Sequence, residues 1–296
     1  IFRINNYFEL FKILKINEGT IFLDYTSLGF KSSLSKIILY FKNYKRIVSK
    51  IGILPSLKLK VVNADVKIKR FFKLIKITFF SRFDEIFFTK KNIYLCAGRI
   101  IQEQYRDKFT INCHSYDFYE KTKIKKNSIK KKDYFLYLDQ YEHNHPDYKY
   151  AGYDLVNPKK FYDSLNNFFD KLEKKFKKEV VIAAHPKTKK HRYFGHRKVV
   201  RNKTFELSQK CYASIAHTST AISFSIIYKK PIIFIYNNEM LRADSNKKKK
   251  ICVLQNELGS SIYNIDKKNC INDLSKNLKK INNYKYDRYF KNYISY

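Results

Sequence analysis

The stretch YASIAHTSTAISFSIIYKKPIIFIY, Tyr212 to Tyr236, decides the fold. YASIAH is small and apolar up to His217 and reads as a strand. Thr218, Ser219 and Thr220 then form a hydroxyl-rich turn, and TAISFSIIYKK carries apolar residues at helical spacing. Pro231 stops that helix and opens a second apolar run, PIIFIY. A strand, a helix and a strand joined by such short connections place the two strands parallel in one sheet.

The same alternation extends upstream. DYFLYLD (Asp133 to Asp139) reads as a strand, and Pro158 opens a helix with Phe161, Leu165, Phe168, Phe169 and Leu172 on one face. EVVIAAH, ending at His185, is the next strand, and Thr204 to Lys210 is a short helix. In the first half, GTIFLDY, KLKVV, DEIFFTK, NIYLCAG and FTINCHS are strand candidates, and SSLSKIILYFKNY is a Ser-capped helix. KTKIKKNSIKKKD, Lys121 to Asp133, is almost entirely Lys, Ser and Asn and reads as a linker. The expected organisation is α/β: two Rossmann-like domains with parallel sheets facing a cleft. They span residues 1–128 and 133–276, with a basic segment, 277–296, packing back on the body. The chain of 296 residues begins at Ile1, and its one Met is Met240, so a fragment or a lost start is expected.

Lys and Arg number 61 against 26 acidic residues, a formal charge of +35, which attracts polyanions or an anionic membrane face. The excess is mostly Lys in a chain rich in Asn, Ile, Tyr and Phe. That bias is compositional and discounts specific nucleic-acid binding. Five scattered Cys with no CxxC pair support neither a zinc site nor a disulfide framework, and a reducing cytoplasm is the simplest setting. Cys96 and Cys252 lie in apolar runs and are expected to be buried. GxGxxG, Walker-type and GxSxG patterns are absent, which argues against dehydrogenases, P-loop NTPases and α/β-hydrolases.

Three polar clusters fall at expected strand ends, where α/β sheets bind ligands. LDQYEHNHPDY places Asp139, Glu142, His143, His145 and Asp147 in one loop: either a polar surface loop or a carboxylate, Asp139, that takes a proton at the cleft. One loop rarely completes a coordination sphere, so no metal is expected. AHPKTKK sets His185 and Pro186 before Lys187, Thr188, Lys189 and Lys190: either a strand stop or a phosphate contact. AHTST places His217, Thr218, Ser219 and Thr220 before a helix: either an N-cap or an anion site on free N–H groups. The last two strands both end in Ala-His, and that repetition favours a site for a phosphate-bearing small molecule.

Over roughly 111–236, the order YFLYLDQY…HPDY, VIAAHP, FGHRKVVRNKTFEL and ASIAHTSTAISFSIIYKKPIIF resembles bacterial surface-carbohydrate glycosyltransferases of the GT-B type, of capsule and lipopolysaccharide assembly. It is also similar to sialyltransferase-like enzymes that use CMP-activated ulosonic acids. The resemblance implies that His185 contacts and protonates the leaving nucleotide phosphate. Ser219 and Thr220 would hold that phosphate, and His217 would line the nucleotide site. The general base would be an acidic residue of the other domain. The family's acidic motif ending in Gly is missing here, leaving Asp139 or Asp117 as substitutes. The expected partners are a nucleotide-sugar donor, CMP-linked, and a polysaccharide or lipid-linked acceptor, with no cofactor. The expected location is the cytoplasm, peripheral at the inner membrane face. Two other readings stay open: a polyanion-binding basic protein and a GT-B-fold nucleotide-sugar epimerase.

Overall fold

In the computed structural model the described residues are 21–24, 36–38, 41, 44–55, 75, 79, 92–122, 133–145, 148, 153–188, 192–278 and 281–295. They form two all-parallel sheets. The first holds β1 (Ile21–Asp24), β2 (Lys45–Lys50), β3 (Asn92–Ala97) and β4 (Thr110–Cys113), in that order. The candidates KLKVV and DEIFFTK, most of SSLSKIILYFKNY and residues 123–132 of the linker lie outside the described residues. Lys121 and Thr122, read as linker, instead end a helix.

The second sheet comprises β5 (Phe135–Leu138), β6 (Val180–Ala183), β7 (Val199–Val200), β8 (Ala213–Ala216), β9 (Ile232–Tyr236) and β10 (Ser261–Asn264). Its order is β10-β9-β8-β5-β6-β7. The chain therefore starts in the middle of the sheet, winds out to one edge and returns to wind out to the other. The switch point lies between β5 and β8, where doubly wound sheets bind ligands. The two Ala-His strands are not consecutive, as the sequence suggested. The two-residue β7 intervenes in the chain, and β5 pairs with β6 on one side and β8 on the other.

Helices α1 (Arg99–Gln104) and α2 (Tyr116–Thr122) belong to the first half. They are followed by α3 (Pro158–Phe176), α4 (Thr204–Lys210), α5 (Ile222–Ile227), α6 (Asn238–Ala243), α7 (Lys247–Leu258), α8 (Leu274–Leu278) and α9 (Asn283–Tyr289). α3 shows why these segments fold as they do. Asn157 accepts a hydrogen bond from Lys160 N–H, Pro158 occupies the first turn, and Lys177 closes the end in a left-handed conformation. Its face of Phe161, Tyr162, Leu165, Phe168, Phe169 and Leu172 packs into one core with β5, β6, β8 and β9, whose residues are almost all buried. Burial on both faces is what continuous apolar strands require.

Tyr286, Tyr289 and Ile294 enter the second half's core. The following turn, Phe290–Ile294, reaches the first half: Ser115 N–H donates to Ile294 O at 2.8 Å, and Phe118 packs edge-on against Phe290. At Gly98 (φ 79°) a Cβ would lie 2.3 Å from Asn292 O, so the approach requires glycine. Cys96 is buried as expected, but Cys252 is half-buried on α7. No helix among the described residues is long and apolar enough to cross a membrane.

Candidate functional site

The loops after β5, β6 and β8 meet at the carboxyl edge of the second sheet, and two consecutive residues of the β5 loop tie them together. Asp139 is buried, and its Oδ2 accepts from His185 N–H (3.2 Å) and Thr188 Oγ1–H (2.9 Å) while Oδ1 accepts from Tyr141 N–H (2.9 Å). Gln140 Oε1 accepts from Thr218 N–H at 2.8 Å. The His185 and Thr218 turns thus hang from neighbouring residues of one loop. Both carboxylate oxygens of Asp139 are engaged inside the protein, so it organises the turn instead of serving as the expected proton acceptor. Thr188 is likewise buried as a donor to Asp139 and is not a phosphate ligand. Arg201 holds the Thr188 carbonyl from the far side. Lys189 and Lys190 lie outside the described residues.

His185 is half-buried and is followed by exposed Pro186 and Lys187. Its Nδ1 accepts from Lys187 N–H at 3.2 Å, which puts the proton of the neutral ring on Nε2 and makes Nε2 a donor. The Tyr141 ring is parallel to it, with centroids 6.0 Å apart and an interplanar angle of 9°. The His145 ring is 5.6 Å away. Tyr141 holds a left-handed backbone (φ 55°), which costs a non-glycine residue about 1 kcal/mol and clusters at functional sites.

His217 corrects the sequence reading. It is fully buried, with Nδ1 2.7 Å from Ile235 O and Nε2 2.9 Å from Tyr137 OH. The carbonyl can only accept, so Nδ1 carries the proton and Tyr137 donates to Nε2. Burial pushes its pKa down to about 4, Glu142 and Lys247 acting in opposite senses. His217 therefore belongs to the core and offers no ring atom to a ligand. Thr218, Ser219 and Thr220 do lie at the sheet edge, half-buried or exposed. They precede α5 as a turn and do not cap it: Ser219 Oγ accepts from Ala221 N–H at 3.2 Å, and Ile222 N–H returns to Ser219 O.

Glu142 and Lys247 form a buried pair at 2.7 Å. Lys247 Nζ also donates to Tyr148 OH (2.6 Å) and Thr218 Oγ1 (3.2 Å), and Tyr148 OH donates to Glu142. Burial pushes the Glu142 carboxyl up, but Lys247 and the hydrogen bonds hold it below the ordinary range. Sequence reading missed Lys247 because it opens a run of four Lys. A signal was present: Lys247, Ile251, Leu254 and Leu258 share one helical stripe, and all are buried. His143 donates to or accepts from Tyr162 OH at 2.8 Å, and burial lowers its pKa. Asp147 lies outside the described residues, and no group of three or more His, Cys, Asp or Glu able to hold a metal occurs among them.

The first half brings one acid to this side. Asp117 lies in the first turn of α2, just after β4, with Ser223 of the first turn of α5 beside it. Both turns follow the carboxyl ends of their strands. Burial raises the Asp117 pKa to about 6, with Ser223 lowering it and Glu120 raising it.

No family model matches the chain, and no curated protein matches it. Solved structures do. The Methanocaldococcus jannaschii UDP-GlcNAc 2-epimerase, solved with UDP-GlcNAc and UDP, is 13% identical with a TM-score of 0.50, covering 95% of this chain and 77% of that one. A putative UDP-N-acetylglucosamine 2-epimerase from Listeria monocytogenes is 10% identical, TM-score 0.51, covering 97% and 71%. The S. aureus MnaA–UDP co-structure is 10% identical, TM-score 0.50, covering 97% and 72%. At such identities the likeness is one of fold: the chain is an α/β protein of GT-B type, with two parallel sheets.

Proposed function

We propose that the chain is a nucleotide-sugar-dependent glycosyltransferase acting on a bacterial surface polysaccharide or lipid-linked glycan. One observation carries the reading: His185 presents an Nε2–H donor at the switch point of a doubly wound sheet, on a turn tied to the Thr218–Thr220 turn. In the proposed reaction the bond from the anomeric carbon to the donor phosphate oxygen breaks, and its electron pair stays on the phosphate. Nε2–H stabilises that oxygen, as do Lys187 and the hydroxyls of Ser219 and Thr220. The acceptor hydroxyl adds to the anomeric carbon and gives its proton to Asp117, whose pKa of about 6 suits a base near neutrality. A CMP-activated ulosonic acid is the donor that the sequence resemblance favours. The basic surface, +35 overall, supports peripheral contact with an anionic membrane at the cytoplasmic face.

A second reading, a nucleotide-sugar epimerase, is favoured by the solved structures similar in fold, which are described as UDP-GlcNAc 2-epimerases. It differs in needing no acceptor. The test is a thermal-shift screen with CMP, CDP, UDP, UMP, GDP and DNA, followed by product analysis with and without glycan acceptor. Stabilisation by CMP and acceptor-dependent product support the first reading. Stabilisation by UDP with a changed sugar and no acceptor supports the second. A shift with DNA alone, persisting at high salt, overturns both. His185→Ala is expected to keep the fold and lower turnover by about 10²-fold or more. Near-normal turnover in the folded variant removes His185 from the mechanism.

A further inference from the structure

We propose that Asp139 is a positioning residue that locks His185 and Tyr141 into one unit and thereby fixes which nitrogen His185 presents. This rests on the transferase reading for its consequence in turnover, but not for its structural content. One carboxylate accepts three donors from two chain segments. Oδ1 takes Tyr141 N–H, and Oδ2 takes His185 N–H together with Thr188 Oγ1–H. Thr188 N–H also closes the turn on His185 O at 2.9 Å, so the turn that contains Lys187 N–H is anchored at both ends. That N–H is what occupies Nδ1 and leaves the proton on Nε2.

The Tyr141 arm does different work. Its left-handed backbone is maintained against a cost, and the hydrogen bond to Oδ1 offsets it. Asn144 Nδ2 donates to Tyr141 OH at 2.9 Å and fixes the far end of the ring. The result is a ring held parallel to the imidazole. That face packs beside the neutral imidazole and fixes its plane, so Nε2–H keeps one direction. Replacing Asp139 with Asn keeps the shape but leaves only one accepting oxygen. Whichever way the amide turns, its NH₂ opposes a backbone N–H, of Tyr141 or of His185.

The experiment is nitrogen-15 NMR of histidine-labelled wild type, Asp139→Asn and Thr188→Val, with resonances assigned by His185→Ala. Turnover and nucleotide affinity are measured on the same proteins. The wild type is expected to show His185 as a single neutral tautomer protonated at Nε2. Asp139→Asn is expected to show a mixture, with kcat reduced about tenfold or more and affinity for CMP or UDP within about twofold. A single Nε2–H tautomer and unchanged kcat in folded Asp139→Asn would overturn the proposal. So would a lower melting temperature with no change in tautomer, because that is a purely structural role. If Asp139→Asn does not fold, Thr188→Val, which removes only the hydroxyl arm, carries the test: a mixture is expected, and a single tautomer overturns it. A tautomer change in a protein inactive toward every nucleotide sugar would sustain the positioning role and sink the transferase reading.

Discussion

The two halves of the chain are built from the same unit, parallel strands joined by helices, yet they differ in how they are held. The second half buries Phe135, Phe161, Phe168, Phe169 and Leu165 almost completely in one continuous core. Among the described residues, the first half's largest cluster of fully buried side chains is Tyr94, Cys96 and Ile101. Its strand β2 carries a buried Arg46, and β4 at the sheet edge leaves Ile111 exposed. Burial stabilises in proportion to apolar area, so the described core of the second half forms a continuous platform beneath the site. The described part of the first half meets that platform through Ser115, Phe118 and Gly98 against the C-terminal turn.

The largest effects should therefore come from the second half. Phe169→Ala removes a fully buried ring from the main core and is expected to cost about 3–5 kcal/mol. Denaturant unfolding should show the loss as one cooperative shift. A loss confined to the first half would break the platform picture. Lys247→Met leaves Glu142 buried without its cation and is expected to cost about 3 kcal/mol or more. Replacing both partners with apolar residues should cost much less. The pair also sets an acid limit. Glu142 titrates lower in the folded protein than in the unfolded one, so its contribution is present above about pH 4.5 and is lost as pH falls through the folded value.

Gly98→Ala tests the joint itself. A Cβ there meets Asn292 O and Tyr293 Cα, all backbone, so no side chain can move aside. Hydrogen exchange is expected to rise at the C-terminal turn and at α1, while β5, β6 and β8 keep their protection. Unchanged exchange at the turn would show that the halves dock by other contacts.

This contrast also explains what the sequence made legible. β5, β6, β8 and β9 are continuous apolar runs because both faces are covered, and such runs are easy to find. β7 is two residues long and carries no period to detect. At the site, residue types at strand ends pointed to loops that do meet, but not to how each side chain is bonded there. His217 and His185 follow the same Ala-His pattern. One is bonded at both nitrogens, to Tyr137 and Ile235, and the other accepts a backbone N–H at Nδ1. That difference depends on strand order, which puts β8 beside β9 and Ile235 within reach of His217. Asp139 likewise reads as a lone carboxylate until β6 is paired beside β5 and supplies His185 and Thr188 as donors.

The smallest expected effect is also the sharpest test of the comparison, because each half carries a group displaced by burial and the two act in opposite senses. His217, in the second half, has a folded pKa of about 4 against the ordinary 6.5. Between these values the unfolded chain binds the proton and the folded one does not, so this group makes stability rise with pH across that window. Asp117, in the first half, has a folded pKa of about 6 against 3.8. There the folded chain holds the proton that the unfolded one has released, so this group makes stability fall as pH rises. The windows overlap from about pH 4 to 6, where these two slopes oppose. Asp117→Asn removes the falling term and should steepen the rise of melting temperature with pH. His217→Asn removes its rising term, and the rise of melting temperature with pH should flatten across the same interval. Parallel curves for the two variants would show that neither group is displaced as its burial requires. A reversed order would place the buried charge cost in the other half.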